Sequence, residues 1–382
     1  MRLSFLQRPR APSWSPTVWL PALVFLALVL AGALSGPQFQ PARFGAFSWQ
    51  VFPFRWDGNW YRSIAQGGYS WNPAVKTGQN LAFFPLEPLL LYLVHGVSGL
   101  RWWQASWLLQ AATGAFAVWA FLRLAAAYLS PKSSQLALWA FLLFPASLFL
   151  LPNYPVGLLE GLACWSLLEL KRGRLLPAGL LAGLASAAGP VGIALAFPIA
   201  WASWPKLRAG QAWSWAPPLL SVCGLLLFMV YQALRFHDAL AFVQAQAAWA
   251  SVGLGTRLLR FFTLFPIWRS IYWGLRIPVA VNMLLLENAA FLLGGLISAW
   301  WTEDRRLRLY AYAVLLITLF FQASASNLLL STARLIYPAV PLFLLLGKFG
   351  ERHPWIFWLL MAGFGLLLAN WAGRFALNYW VQ

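Results

Sequence analysis

Nine acidic residues occur in the 382-residue chain, and their scarcity makes each one informative. Glu169, Glu303, Asp304 and Glu351 lie among basic clusters, where local pairing accounts for them. Asp57, Glu87, Glu160, Asp238 and Glu287 remain. Asp57 lies in FRWDGNWYRSIAQGGYSWNP between Arg55 and Arg62. A carboxylate so placed can take a proton from, or orient, a hydroxyl nucleophile. The planar guanidinium groups suit a phosphate. Arg55, Trp56, Tyr61 and Arg62 are therefore candidate substrate contacts around a candidate catalytic Asp57. The plainer alternative is that Asp57 caps a helix, since Trp60, Tyr61 and Ile64 follow at helical spacing and Gly67 and Gly68 end the pattern.

Glu87, in NLAFFPLEPLLLYLV, is either a second catalytic or acceptor-orienting carboxylate or a local partner of Arg101 or Lys76. Arg257 and Arg260, three apart, share a helical face that suits a phosphate head or a pair of side chains reaching to lipid headgroups. Asp238 is read as bracing its loop against Arg235. Arg334, at the external end of an expected span, suits a lipid phosphate or an interfacial anchor, and Asn153 and Tyr154 lie in a Pro-rich turn. The three histidines show no metal spacing, and no G-x-x-x-x-G-K-[ST] loop is present. The sequence calls for no cofactor, and it neither requires nor excludes a divalent cation. Cys164 and Cys223 both lie in apolar runs without a motif.

The elements that must carry these residues are membrane helices. The chain is 61% hydrophobic and 9% charged, against about a quarter charged for an ordinary soluble domain. Its formal +18 is spread in short clusters between apolar runs, which suits loops beside anionic headgroups rather than a nucleic-acid face. Eleven spans are expected, near 17–35, 104–122, 135–151, 155–170, 175–188, 190–204, 215–234, 279–300, 309–325, 335–347 and 355–372. Residues 81–99, with Pro85, Glu87, Pro88 and His95, read as a juxtamembrane or re-entrant helix. That choice places Arg123/Lys132, Lys171/Arg172/Arg174, Lys206/Arg208, Arg305/Arg306/Arg308 and Lys348/Arg352 on the cytoplasmic side together with the N-terminus. One integral-membrane domain, 1–382, then presents two long external segments, 36–103 and 235–278. Function is expected there.

RWDGNWYRSIAQGGY, NLAFFPLEPLLLYLV, FPASLFLLPNYPVGLLEGL, AGLLAGLASAAGPVGIAL, FHDALAFVQAQAAW and STARLIYPAVPLFLLLG occur in that order. They resemble the successive blocks of the PIG-V-type mannosyltransferases, the family of the enzyme adding the second mannose of the GPI anchor, over about residues 50–350. The resemblance implies an all-α GT-C fold with an extracytoplasmic active site. It implies transfer of mannose from a polyprenyl- or dolichyl-phosphate carrier to a lipid or glycan hydroxyl, with inversion. Asp57 matches the family's first-loop aspartate, Arg334 the arginine before its last conserved span, Asp238 its Gly-Asp-Pro block, and Asn153 and Tyr154 the block reaching the site from the second hairpin. Three blocks depart from the pattern. Glu87 stands in the FFPLYPL block, Ala188 and Gly189 precede Pro190 where an arginine is frequent, and His237 and Ala239 flank Asp238. A lipid-linked glycan flippase and an inactive scaffold subunit are the rival readings; the lack of internal repeats weighs against the flippase. The absence of an Asn-x-Ser/Thr sequon favours a bacterial plasma membrane.

Overall fold

A computed structural model describes residues 16–39, 47–75, 78–246, 254–276, 280–324 and 328–381. The basic N-terminal residues, Lys76 and Trp249 lie outside these. Every regular element among the described residues is a helix.

Five helices contain a stretch long and apolar enough to cross a membrane: Trp19–Gly36, Trp102–Ala126, Met283–Trp301, Arg305–Ala323 and Pro354–Ala376. The pair Trp213–Ser221 and Cys223–Phe236, bent by 65°, is together long and apolar enough for a broken span or a re-entrant loop. Of the other five expected spans, 155–170 and 175–188 form as short helices of about the expected extent, and three are broken. Val156–Lys171 and Leu175–Ala188 run 16 and 14 residues. The 135–151 stretch divides at Pro145 into Pro131–Leu143 and a 3-10 turn, Pro145–Leu150. Pro190 likewise opens a 3-10 turn, Pro190–Leu195, before Ala196–Arg208, and the region 335–347 divides around Pro338 and Pro341. Proline removes a backbone donor and clashes with the preceding turn, so a continuous apolar run need not be a continuous helix. These short pieces are tolerated at depth because protein surrounds them, as the buried residues along Val156–Leu170 show.

Small residues set the tightest contacts. The first and last long helices, Pro16–Phe39 and Pro354–Ala376, pack backbone to backbone: a Cβ on Gly36 would lie 3.0 Å from the Cα of Gly373. A Cβ on Gly157 would lie 3.0 Å from the backbone of Thr113 and Gly114 in the Trp102–Ala126 helix. Phe121, Phe141, Phe144, Tyr337 and Phe343 interlock at the centre, with Phe121 and Phe141 stacked at 4.5 Å and Phe141 and Tyr337 at 4.8 Å.

The two ends of the bundle differ. One end gathers the basic clusters: Arg306 donates to the Leu170 carbonyl at 2.6 Å, Tyr128 to Asp304 at 3.2 Å, Lys171 to the Ala127 carbonyl, and Ser130 to Glu351 at 2.8 Å. The other end carries Asp57, Asn153 and Arg334. Val156–Lys171 connects them, with Tyr154 just before its start and Arg174 just after its end.

Candidate active site

The site is assembled on the first turn of one short helix. A 3-10 turn, Phe52–Phe54, leads through Arg55 and Trp56 into the helix Asp57–Gly67. Trp56 takes φ +50° and ψ −122°, a conformation that costs a non-glycine residue about 1–3 kcal/mol and is sustained only by surrounding contacts. Its ring packs edge-on against Trp380 at 5.0 Å. Gly58 lets the chain fold back this tightly, because any Cβ there would collide with the carbonyl of Pro53. Gly68, at φ +75°, ends the helix.

Asp57 is the first helical residue, and Trp56, at the N-cap, makes no side-chain cap. Its Oδ2 accepts from Arg334 Nη1 at 2.7 Å, with the two side chains 24% and 17% exposed. No described residue pairs with its Oδ1. One oxygen is thus anchored and the other open. The Asp57 backbone N–H donates to the hydroxyl of Tyr154 at 3.1 Å. Asn153 donates its side-chain amide to the Gly58 carbonyl at 3.2 Å and its backbone N–H to Pro53 at 2.8 Å. Asn153 and Tyr154 therefore clamp both sides of the turn that presents the aspartate.

Arg334, in the short helix Thr332–Ile336, lies over the rings of Tyr154 at 5.1 Å and Phe149 at 5.5 Å. Burial alone would lower its affinity for a proton, but the charge of Asp57 and the nearby Tyr154 outweigh that and raise it, so the guanidinium stays charged. Tyr61, one helical turn beyond Asp57, is buried and packs on Phe83 at 5.3 Å. Burial, then the charge of Asp57, pushes its phenol well above the ordinary range.

Glu87 is fully buried in the helix Leu86–Ser98, and its Oε1 accepts from Gln110 Nε2 at 2.6 Å. Its Oε2 has no partner among the described residues. Burial raises this carboxyl to about 8, against a smaller opposing effect of the Gln110 hydrogen bond. The expected pairing with Arg101 is corrected. Arg101 stands at the N-cap of the Trp102–Ala126 helix, its backbone N–H donating to Gln104 Oε1 at 3.1 Å, and the buried carboxyl reaches an amide on the neighbouring helix rather than this solvated guanidinium.

Other expected contacts are placed elsewhere. Arg55 is 6% exposed and donates to the Ala376 carbonyl at 3.0 Å, tying the turn to the last long helix. Arg62 donates to Asn59 at 2.6 Å and lies over Phe54. Asp238 does brace its loop, but through the Leu240 N–H at 2.8 Å and Gln244 at 2.6 Å; Arg235 instead lies over Phe236. Arg257 and Arg260 lie on the helix Leu254–Phe262, Arg257 over Phe320 at 5.4 Å, each with one buried N–H lacking an acceptor and neither bonded to Asp57. No group of three or more His, Cys, Asp or Glu side chains capable of holding a metal occurs among the described residues. Gln110, Phe83, Phe149 and Trp380 were not singled out by the sequence. Gln110 alone carried a signal, as an amide inside a mostly apolar span.

The architecture has counterparts among solved structures. ArnT from Cupriavidus metallidurans, bound to undecaprenyl phosphate, superimposes with a TM-score of 0.51 at 15% identity, over 88% of this chain and 61% of that one. The Archaeoglobus fulgidus oligosaccharyltransferase follows with a TM-score of 0.46 at 15% identity, over 95% of this chain and 53% of that one. No family model matches the chain, and no curated protein matches it. The chain shares the helical fold of ArnT and spans about three fifths of its length.

Proposed function

We propose that the chain is a membrane glycosyltransferase that moves mannose from a polyprenyl-phosphate carrier to an acceptor hydroxyl on the extracytoplasmic face. The observation that carries this reading is Asp57, held through one oxygen by Arg334 with its other oxygen open, within a fold like that of ArnT, which has been solved with undecaprenyl phosphate.

In this reading Asp57 Oδ1 takes the acceptor proton while the acceptor oxygen attacks the anomeric carbon. The new C–O bond forms as the bond to the carrier phosphate breaks from the opposite face, giving inversion. The lipid phosphate departs with the bonding electrons. A phosphate is already a good leaving group, so one carboxylate and cationic stabilisation are sufficient. Arg334 orients the base, and Arg257 and Arg260, with uncommitted buried N–H groups, are the cations available for the phosphate. The resemblance to PIG-V-type enzymes supports mannose as the sugar and a prokaryotic plasma membrane as the location.

The test is transfer of label from polyprenyl-phosphate-[3H]mannose in membranes containing equal amounts of wild type or Asp57→Asn. Transfer by wild type and its loss in the variant is the expected result. Wild-type turnover by Asp57→Asn would overturn the catalytic assignment, and labelling from polyprenyl-phosphate-glucose but not mannose would overturn the sugar.

A further inference from the structure

The end of the bundle opposite Asp57 carries a groove that the transfer reaction does not use. The 16-residue helix Val156–Lys171 separates it from Tyr154, by about 24 Å at 1.5 Å per residue. The cavity, of about 650 Å³, is bordered by Arg174, Lys206 and Ser214 on its polar side and by Leu176, Trp213 and Pro217 on its apolar side.

Its polar side is short of negative charge. Arg172 and Arg174 share a single carboxylate, Glu169, at 2.6 and 3.5 Å, and Lys206 has no acidic partner among the described residues. Arg174 also precedes the helix Leu175–Ala188 without capping it by its side chain, and the first backbone bond there runs from Ala178 to Arg174. Leu175 and Leu176, whose amides lack intrahelical acceptors at the positive end of this 14-residue helix, line the groove. Ser214, 8% exposed, and Gln211 also line the cavity.

The apolar side faces outward. Trp213 is 90% exposed, with Leu176, Leu180 and Leu219 exposed beside it, as befits surface in contact with acyl chains. The walls are close-packed: a Cβ on Gly179 would lie 2.6 Å from the Pro217 carbonyl. A groove bordered by cations and continuous with an exposed apolar strip matches a ligand with one phosphate and one or two hydrocarbon chains.

We propose that this groove binds an anionic phospholipid of the leaflet opposite the transfer site. Its phosphodiester lies between Arg174, Lys206 and the amides of Leu175 and Leu176, and an acyl chain lies along Leu176 and Trp213. The assignment requires only that the chain be embedded in a bilayer and is independent of the reaction proposed for Asp57.

The test is native mass spectrometry of the detergent-purified full chain titrated with phosphatidylglycerol or with phosphatidylcholine of the same acyl chains. Wild type is expected to bind phosphatidylglycerol more tightly. Each cation near a lipid phosphate is worth about fivefold, so Arg174→Gln/Lys206→Gln should lose about 25-fold in phosphatidylglycerol affinity. Lys348→Gln/Arg352→Gln, at the same end, should retain wild-type affinity, and all variants should keep the wild-type thermal midpoint. An unchanged affinity in the first pair, or an equal loss in both pairs, overturns the site. Glycerol phosphate is expected not to compete; competition at equal concentration overturns the lipid assignment in favour of a soluble phosphate ligand.

Discussion

Arg334 and Asp57 stand 277 residues apart in the chain and meet at 2.7 Å, and the pairing engages only one carboxylate oxygen. Anchoring one oxygen fixes the direction of the other, which is what a base must have before a hydroxyl arrives. If this is its role, Asp57→Asn should reduce sugar transfer by about 10²–10⁴-fold with little change in KM. Steady-state transfer in membranes normalised for protein decides it.

Arg334→Lys keeps the charge but loses the planar fork lying over Tyr154 and Phe149. Transfer should fall, and fall further in Arg334→Ala, with a stability loss of about 1–3 kcal/mol in the alanine variant from the abandoned carboxylate. Thermal unfolding of purified protein beside the transfer assay separates the two effects. Equal activity in lysine and wild-type proteins would show that charge alone suffices.

Tyr154→Phe removes the acceptor of the Asp57 backbone N–H while preserving the ring under Arg334. A loss of about 1 kcal/mol in stability is expected, together with a measurable fall in kcat, because the first turn that presents the aspartate loosens. Hydrogen exchange at the 57–61 amides should rise in step; unchanged exchange would count against the clamp.

Glu87 gives a pH dependence of defined sign. Its carboxyl titrates near 8 in the folded chain against an ordinary 4.5, so between those values the folded state holds a proton that the unfolded state has lost. Stability contributed by the neutral form therefore declines as pH rises from 4.5 to 8 and levels off above. Glu87→Gln, whose amide oxygen can still accept from Gln110, should flatten that decline and exceed wild type in thermal midpoint at pH 8.5. A parallel pair of pH profiles would refute it.

Gly58→Ala should abolish transfer and lower expression, since its Cβ would strike the Pro53 carbonyl that also receives Asn153. Gly67→Ala, one turn beyond the helix centre and with open space around it, is the matched control and should behave as wild type. Immunoblots and transfer assays on the two variants are enough to tell them apart.

Much of this was legible in sequence where local rules apply. The helix Asp57–Gly67 follows from the spacing of Trp60, Tyr61 and Ile64 and from the glycines that end it, and the rarity of acidic residues singled out Asp57. Proline positions were visible too, yet hydropathy alone ran through Pro145, and it read the 3-10 turn after Pro190 as part of a continuous helix. Partnerships set by packing were not legible. Nothing in the spacing of Arg55 points to a carbonyl 321 residues away, and nothing in FFPLEPL identifies Gln110 as the partner of Glu87.

The close seating of Pro16–Phe39 against Pro354–Ala376, and of Arg55 against Ala376, has a consequence in time. Synthesis at about 5–20 residues per second separates the emergence of Asp57 from that of Arg334, 277 residues later, by roughly 14–55 s. Throughout that interval the aspartate has neither its cation nor the closing helix. Under the proposed reaction, a nascent chain is thus inert toward the sugar donor until Arg334 and the helix Pro354–Ala376 have been inserted.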